Sequence, residues 1–325
     1  ASMVPGEGVF HLASGTDIWW DAASPEAKKA ASLLAKRLNE IPGGKFRVRK
    51  ADAGRRAGDN SISFAVDAGI VNDEGYSLAV SPDRIVIHSR AGAGYFHAVQ
   101  TLLQMMPPAV FKHGAKVELP IRIYSVRIED RPRFPWRGLL VDPARHFYTK
   151  NELLRVIDLM AMHKYNVLQL HLTDDTGWRL QIQRYPRLTE VSGWRDELGF
   201  ATDPRDVTAF NARGQYGGFY TRKDIREIVE YAGERHITVV PEIEMPGHSQ
   251  AAIRAYPEIS CAGGTYESGK PAKVEDNILC PGNEATYAFV ENVLTEVMDL
   301  FPSRYIHIGA DECRRERWKT CPKCQ

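Results

Sequence analysis

An excess of charge of either sign is missing from this chain. Its 325 residues carry 42 Lys and Arg against 41 Asp and Glu, a formal net charge of +1. A phosphate backbone is held by a basic face, so this balance argues against nucleic acid as the main partner. Long apolar runs are also missing. No stretch approaches the ~18 residues that mark a bilayer-crossing helix, so no membrane span is expected. Cysteine is absent before residue 261. The chain opens Ala1-Ser2-Met3-Val4-Pro5-Gly6 with no basic-then-apolar leader. That is expected of a mature exported protein whose signal has been removed, or of a trimmed chain. With 43% hydrophobic and 26% charged residues, what remains is an ordinary globular composition, long enough for two domains.

The five cysteines that do occur are Cys261, Cys280, Cys313, Cys321 and Cys324. Cys261 and Cys280 flank a Gly-rich loop and are expected to close it as a disulfide. A disulfide points to an oxidising compartment, and hence to a periplasmic, secreted or cell-surface location. Cys321-Pro322-Lys323-Cys324 is a CxxC without a second ligand pair, which reads as a local disulfide or free thiols, so no metal is expected. Gly92-Ala93-Gly94 lacks the rest of a dinucleotide fingerprint and reads as a turn into a helix. No cofactor is expected.

Two textures divide the chain. Residues 1–128 predict a small α+β domain. Ser24-Pro25-Glu26 is an N-cap followed by Pro at the first helical position, and Ala27, Ala30, Ala31, Leu34 and Leu38 form the stripe behind it. Strand-like runs follow at 61–66, 75–80 and 84–88, with Ser81-Pro82-Asp83 turning the last two into a hairpin. A second helix is predicted over 93–106. From residue 129 onward the rhythm is strand then helix. Strands are predicted at 136–142, 166–172, 237–242 and 304–309. Between them lie helices opened by Thr149 with Glu152, by Thr221 with Asp224, and by Asn283. Repeated units of this length predict a parallel α/β fold.

Each of these four strands ends in reactive residue types. The endings are Asp142-Pro143-Ala144-Arg145-His146, His171-Leu172-Thr173-Asp174-Asp175, Glu242-Ile243-Glu244-Met245-Pro246-Gly247-His248, and Asp311-Glu312. In a (β/α) barrel such ends meet around one mouth. Asp311 and Glu312 are adjacent, and neighbours on an extended strand point in different directions. They cannot easily flank one bond as an ordinary glycosidase pair does. If one serves the leaving group, the other must serve another part of the substrate. Elsewhere an Asp-Glu at a strand-to-loop boundary is commonly just a solvated pair.

These four motifs, in order, resemble those of the β-N-acetylhexosaminidases of glycoside hydrolase family 20. The likeness covers residues 137–147, 171–179, 241–248 and 307–312, and the N-terminal part is similar to the small domain that often precedes that barrel. The resemblance implies a (β/α)8 TIM barrel of which residues 129–325 supply about the first four strands. It also implies hydrolysis of terminal, non-reducing β-linked N-acetylhexosamine (GlcNAc or GalNAc) from glycans, with retention. The substrate's own 2-acetamido oxygen attacks, so no protein nucleophile is needed. Glu312 is then the general acid and later the base, its pKa raised by Asp311 and partial burial. Asp311 holds the acetamido N–H, Arg145 forks onto ring hydroxyls, and Asp174 and His248 support the acid, with Asp175 and Glu244 behind them. Trp178 and Trp194 are candidates for sugar stacking or for loop packing, and His307 for barrel core.

Two departures stand out. Ala310 replaces the usual glycine before the acid pair, which matters if that position needs φ > 0. The second half of the barrel is absent from this sequence, so the chain is expected to be part of a longer enzyme or to need that half as a second polypeptide. Two rivals follow: a non-catalytic sugar-binding fragment, and a metal-dependent barrel hydrolase using His171, His248, His307 and Asp311.

Overall fold

The computed structural model describes residues 1–51, 57–111, 117–196, 210–261 and 278–325. The loop between Cys261 and Cys280, and the middle of the irregular stretch from Asp174 to Tyr220, lie largely outside them. Two compact units divide at Pro135 and Trp136. Among the described residues no helix is long and apolar enough to cross a membrane.

The first unit is one seven-stranded sheet with two helices. Its strands are β1 (Ser2–Leu12), β2 (Asp17–Asp21), β3 (Arg47–Ala51), β4 (Ser61–Val66), β5 (Tyr76–Val80), β6 (Arg84–Ser89) and β7 (Ile121–Asp130). They lie in the order β1-β7-β5-β6-β4-β2-β3. Helix α1 (Pro25–Asn39) starts as the sequence predicts, with Ser24 Oγ accepting the Ala27 N–H. Helix α2 (Gly92–Gln104) packs beside it. Phe10, Ile18, Leu34, Phe64, Tyr95 and Leu102 belong to one buried hydrophobic core. The Ser81-Pro82-Asp83 turn closes the β5–β6 hairpin, Ser81 N–H donating to the Arg84 carbonyl at 2.9 Å. The long pair β1 and β7 is additional to the sequence expectation. Pro5, Gly6 and Gly8 break the strand signal of β1, and the structure absorbs them as a bulge between Pro5 and Val9.

The second unit is the strand-helix repeat. Strands β8 (Gly138–Val141), β9 (Val167–His171) and β14 (Thr238–Glu242) form a parallel sheet in the order β14-β9-β8. Helix α3 (Lys150–Met162) connects the first two, capped by the Thr149–Glu152 box. After β9 the chain makes two short hairpin pairings, β10 (Thr173–Asp174) with β11 (Gly177–Trp178) and β12 (Trp194–Arg195) with β13 (Tyr216–Gly217), around the short helix α4 (Arg187–Glu190). Helix α5 (Arg222–Gly233) follows, capped by Thr221 and Asp224. Helices α6 (Gln250–Ala255), α7 (Glu284–Leu300) and α8 (Glu316–Thr320) complete the unit, α7 capped by Asn283. Leu153 and Ile157 of α3, and Ile225 and Ile228 of α5, are fully buried.

The fourth predicted strand is a single parallel bridge, Glu242 to His307. His307 N–H donates to the Pro241 carbonyl at 2.9 Å, and its own carbonyl accepts from Ile243 N–H at 3.0 Å. This extended segment therefore lies beside β14. Leu140, Tyr305 and Ile308 stand about half exposed, at 52%, 55% and 48%.

Candidate active site

The polar site is built where the parallel strands end. Gln169 and His171 come from β9, Glu242 ends β14, and Asp174 and Asp175 follow on the β10 hairpin. His171 is the hinge of the arrangement. Its Nε2 donates to Asp174 Oδ2 at 2.8 Å and its Nδ1 to Glu242 Oε2 at 3.1 Å. Burial disfavours the charged ring, but these two carboxylates outweigh it and lift its pKa from 6.5 to about 10. Glu242 is the mirror case. Burial works against its charge, yet His171, Gln169 Nε2 at 2.7 Å and the nearby His307 hold it down to about 2. Both ring nitrogens of His171 thus face carboxylates.

Asp174, 2% exposed, is hydrogen-bonded by His171 Nε2 and by the Asp175 N–H at 2.6 Å, and pairs with Arg145 Nη2 at 2.7 Å. Arg145 Nη1 reaches Asp142 Oδ2 at 2.7 Å, and its backbone N–H reaches Asp142 Oδ1 at 3.0 Å. The guanidinium is thus fixed between two carboxylates while remaining a third exposed. The loop that carries it is pinned from below by Arg179, which is fully buried. Arg179 donates Nε to the Pro143 carbonyl at 2.9 Å and Nη2 to the Ala144 carbonyl at 2.8 Å, with Nη1 on the Gly193 and Gly218 carbonyls. Five donors in a rigid fork suit that task.

His248 lies between the two halves of the carboxylate set. Its Nδ1 stands 3.1 Å from Asp175 Oδ2, and its Nε2 stands 3.4 Å from Glu312 Oε2 and 3.8 Å from Asp311 Oδ2. Burial opposes its charge, but Asp174, Asp175 and Asp311 around it raise its pKa. Among the described residues the buried Nε2 atom has no hydrogen-bond partner, because the 3.4 Å approach to Glu312 lacks hydrogen-bond geometry. Backbone strain collects here. His248 and Glu312 have φ of +45° and +44°, a region that residues with a Cβ rarely adopt.

Gly309 and Ala310 carry the chain into the acid pair with φ of +64° and +75°. The methyl of Ala310 thus sits in the left-handed region that the sequence departure left in question. A Cβ on Gly309 would lie 1.8–2.0 Å from the Glu244 carboxyl atoms, so any larger residue there must displace that side chain. Glu244, 4% exposed, accepts the Ala310 N–H at 2.8 Å on Oε1. Burial raises its pKa to about 7, with Asp311 and Glu242 adding to the effect and the Ala310 N–H opposing it. Glu244 therefore supports the turn that presents the acids.

Asp311 and Glu312 themselves project outward, with side chains 66% and 79% exposed. The partial burial of Glu312 expected from sequence is not present in this chain. An open cleft of about 500 Å³ beside them is lined by Asp175, His248, Glu312, Arg314 and Arg315, among others. Trp178 is 2% exposed, donates Nε1–H to the Leu180 carbonyl at 2.7 Å and packs edge-on against Phe289. It is a packing residue, unavailable for sugar stacking. Trp194 is half-buried, and its carbonyl receives Arg254. His307 is not core. Its side chain is 48% exposed, with Nδ1 3.0 Å from both Glu242 Oε1 and the Gly309 N–H.

The expected Cys261–Cys280 disulfide does not form: all five cysteines are free thiols. Cys261 and Cys280 instead share one cluster with Cys321 and Cys324. Sequence reasoning also gave no supporting role to His171, Glu242 and Asp142. The signal was available, since all three belong to the reactive strand ends that it singled out.

By architecture and site this is part of an α/β catalytic domain that gathers carboxylates, imidazoles and an arginine at the C-terminal ends of parallel strands. The profile described as "Glycosyl hydrolase family 20, catalytic domain" matches residues 134–325, and "Glycosyl hydrolase family 20, domain 2" matches residues 1–131. The chain is 39% identical over 304 residues to a β-hexosaminidase of Porphyromonas gingivalis, covering 93% of this chain and 37% of that one. It is 35% identical over 304 residues to a β-N-acetylhexosaminidase of Cellulomonas fimi, covering 93% and 56%. The solved β-N-acetylhexosaminidase of Streptomyces coelicolor A3(2) superposes with a TM-score of 0.83 at 38% identity, covering 96% of this chain and 59% of that one. A mutant β-hexosaminidase of Streptomyces plicatus, solved with its product GlcNAc, superposes at 0.82 and 39%, covering 96% and 58%. The chain belongs to glycosyl hydrolase family 20. It spans about half the length of the relatives it matches.

Proposed function

We propose that this chain supplies the acid-bearing half of a retaining β-N-acetylhexosaminidase. Its substrates are glycans ending in β-linked GlcNAc or GalNAc. In this reading residues 129–325 contribute about the first four strands of a (β/α)8 barrel, and residues 1–128 form the small domain before it. The observation that carries the mechanism is the adjacency of Asp311 and Glu312 on one left-handed turn, facing the raised-pKa His248. Two neighbours splayed from one backbone cannot easily flank one bond, which fits the substrate-assisted mechanism that the family resemblance implies.

Glu312 donates its proton to the glycosidic oxygen as the carbonyl oxygen of the 2-acetamido group attacks the anomeric carbon. The C–O bond breaks, and the ring closes to an oxazolinium whose N–H Asp311 holds. Water then opens that ring, giving its proton to Glu312. Holding the reacting acetamido in place supplies proximity, and Asp311 stabilises the charge that develops on it. Arg145, gripped by Asp142 and Asp174, keeps N–H groups free for the sugar hydroxyls. The exposure of Glu312, Tyr305 and Ile308 supports a further expectation. The remaining barrel strands, on the same or a second polypeptide, would cover that face and bury the acid, leaving these 325 residues alone with little turnover.

The test is a substrate series in which the 2-acetamido methyl of 4-nitrophenyl N-acetyl-β-glucosaminide carries zero to three fluorines, given to the longest polypeptide bearing this sequence. Each fluorine weakens the carbonyl oxygen as a nucleophile, so kcat/KM should fall stepwise. A flat series, or binding of GlcNAc with no turnover of any member, would overturn the reading.

A further inference from the structure

Away from the acid pair, four of the five cysteines converge. Cys261 Sγ stands 3.7 Å from Cys324 Sγ, and Cys280 Sγ stands 3.8 Å from Cys321 Sγ and 3.5 Å from Cys324 Sγ. All four sulfurs lie within 4.8 Å of one another. A disulfide requires about 2.05 Å, little more than half of these separations. A tetrahedron of thiolates around zinc, with Zn–S of about 2.3 Å, has edges of about 3.8 Å. We propose that Cys261, Cys280, Cys321 and Cys324 bind a single zinc ion in a closed, structural four-cysteine site.

The backbone around the cluster is built to hold it. An antiparallel bridge between Ser260 and Leu279, with Cys280 N–H donating to the Ile259 carbonyl at 2.9 Å, joins the segments that carry Cys261 and Cys280. The CxxC closes as a tight turn, Cys324 N–H donating to the Cys321 carbonyl at 3.0 Å. The two turns are in backbone contact: a Cβ on Gly282 would lie 1.8 Å from the Lys323 carbonyl oxygen and 2.6 Å from the Cys324 nitrogen. Trp318 Nε1 donates to the Leu279 carbonyl at 3.0 Å and ties α8 to the same place.

Cys280 and Cys321 are buried, and the other two are half-buried. Four thiolates would supply all four positions of a tetrahedral ion and leave none open, which marks a structural rather than a catalytic metal. Their spacing is too tight to enclose a multi-iron cluster, leaving one thiophilic ion. Binding is acid–base chemistry without redox. Four thiols and Zn²⁺ give one tetrathiolate complex and release four protons to solvent. The ion would staple the Ser260 and Leu279 strands to residues 313–325, the segment that begins directly after Glu312. The CxxC does have its second ligand pair, separated from it by the whole of α7.

The test uses the longest polypeptide bearing this sequence, purified without a histidine tag or chelator. Metal analysis should find about one zinc per chain. Denaturation in chelator without reductant should then leave all five cysteines open to alkylation, read by intact mass. Cys313→Ser should keep the zinc, whereas Cys280→Ser and Cys324→Ser should lose it. If those variants fail to fold, cobalt(II) added to the chelator-treated wild-type chain gives the same answer, through the charge-transfer and visible bands of a tetrahedral tetrathiolate. Fewer than five alkylated cysteines with no zinc would mean disulfides, and stoichiometric iron would mean a different centre. Either result, or five free thiols with no metal and no cobalt spectrum, overturns the proposal.

Discussion

Asparagine in place of Asp174 keeps the shape of the side chain and removes the one charge shared by His171 and Arg145. The structure sets the size of the effect. The rise of the His171 pKa from 6.5 to about 10 corresponds to about 5 kcal/mol of favourable interaction. Glu242, moved from 4.5 to about 2, gives about 3 kcal/mol for the same ion pair seen from its other end. The two figures overlap and are not summed. Assigning roughly half of the larger to Asp174 gives about 2 kcal/mol, in line with one hydrogen bond to a charged group. The Arg145 contact at 2.7 Å adds a similar, pH-independent amount, for a total of about 4 kcal/mol, within the range for breaking a buried pair.

The sign of the pH dependence follows from the direction of the shift. A histidine with a raised folded pKa contributes fully below about 6.5, and the contribution is lost as pH rises through about 10. Asp174→Asn should therefore lag wild type by about 4 kcal/mol at pH 6 and by about 3 kcal/mol at pH 9.5. In urea, with a slope of about 2 kcal/mol per molar, that is a midpoint difference of about 2 M shrinking to about 1.5 M. A gap that stays constant with pH, or a wild-type His171 ring that titrates near 6.5 by NMR, would refute the reasoning.

Gly309→Ala places a methyl within 2.0 Å of the Glu244 carboxylate at a left-handed φ, so thermal unfolding should show a loss of about 2–4 kcal/mol. Ala310→Gly relieves φ of +75° at some entropic cost and should leave stability unchanged or raise it by up to about 1 kcal/mol. Glu244 has a folded pKa of about 7 against 4.5, so its ionisation destabilises the fold. Wild type should lose about 2–3 kcal/mol between pH 5 and pH 8 that Glu244→Gln does not lose, and parallel pH–stability curves would contradict this. Arg179→Met removes four buried hydrogen bonds to carbonyls. It should cost at least about 4 kcal/mol and loosen the loop bearing Arg145, seen as faster amide exchange at 143–147.

What the sequence made legible is what short-range chemistry dictates. The caps at Ser24, Thr149, Thr221 and Asn283 begin their helices because each side chain serves the backbone within three residues of itself. The strand ends carrying Asp142, His171, Glu242 and Glu244 are legible because apolar runs stop there at polar residues. The cysteine cluster was not legible, because its pairing depends on chain segments brought together through Ser260 and Leu279 across α7. The engagement of His171 by both Asp174 and Glu242 was hidden for the same reason: it crosses from β9 to β14. Gly8 and Pro5 masked β1, whose register becomes clear only with β7 beside it.

The central claim is that Glu312 is the acid on the leaving group. It is tested by comparing Glu312→Gln with wild type, in the longest polypeptide bearing this sequence, on two aryl N-acetyl-β-glucosaminides. The account predicts a loss of roughly 10²–10⁴-fold on the phenyl glycoside, whose leaving group needs a proton. It predicts a far smaller loss on the 2,4-dinitrophenyl glycoside, whose leaving group departs without one. An equal loss on both, or no loss on either, would contradict it.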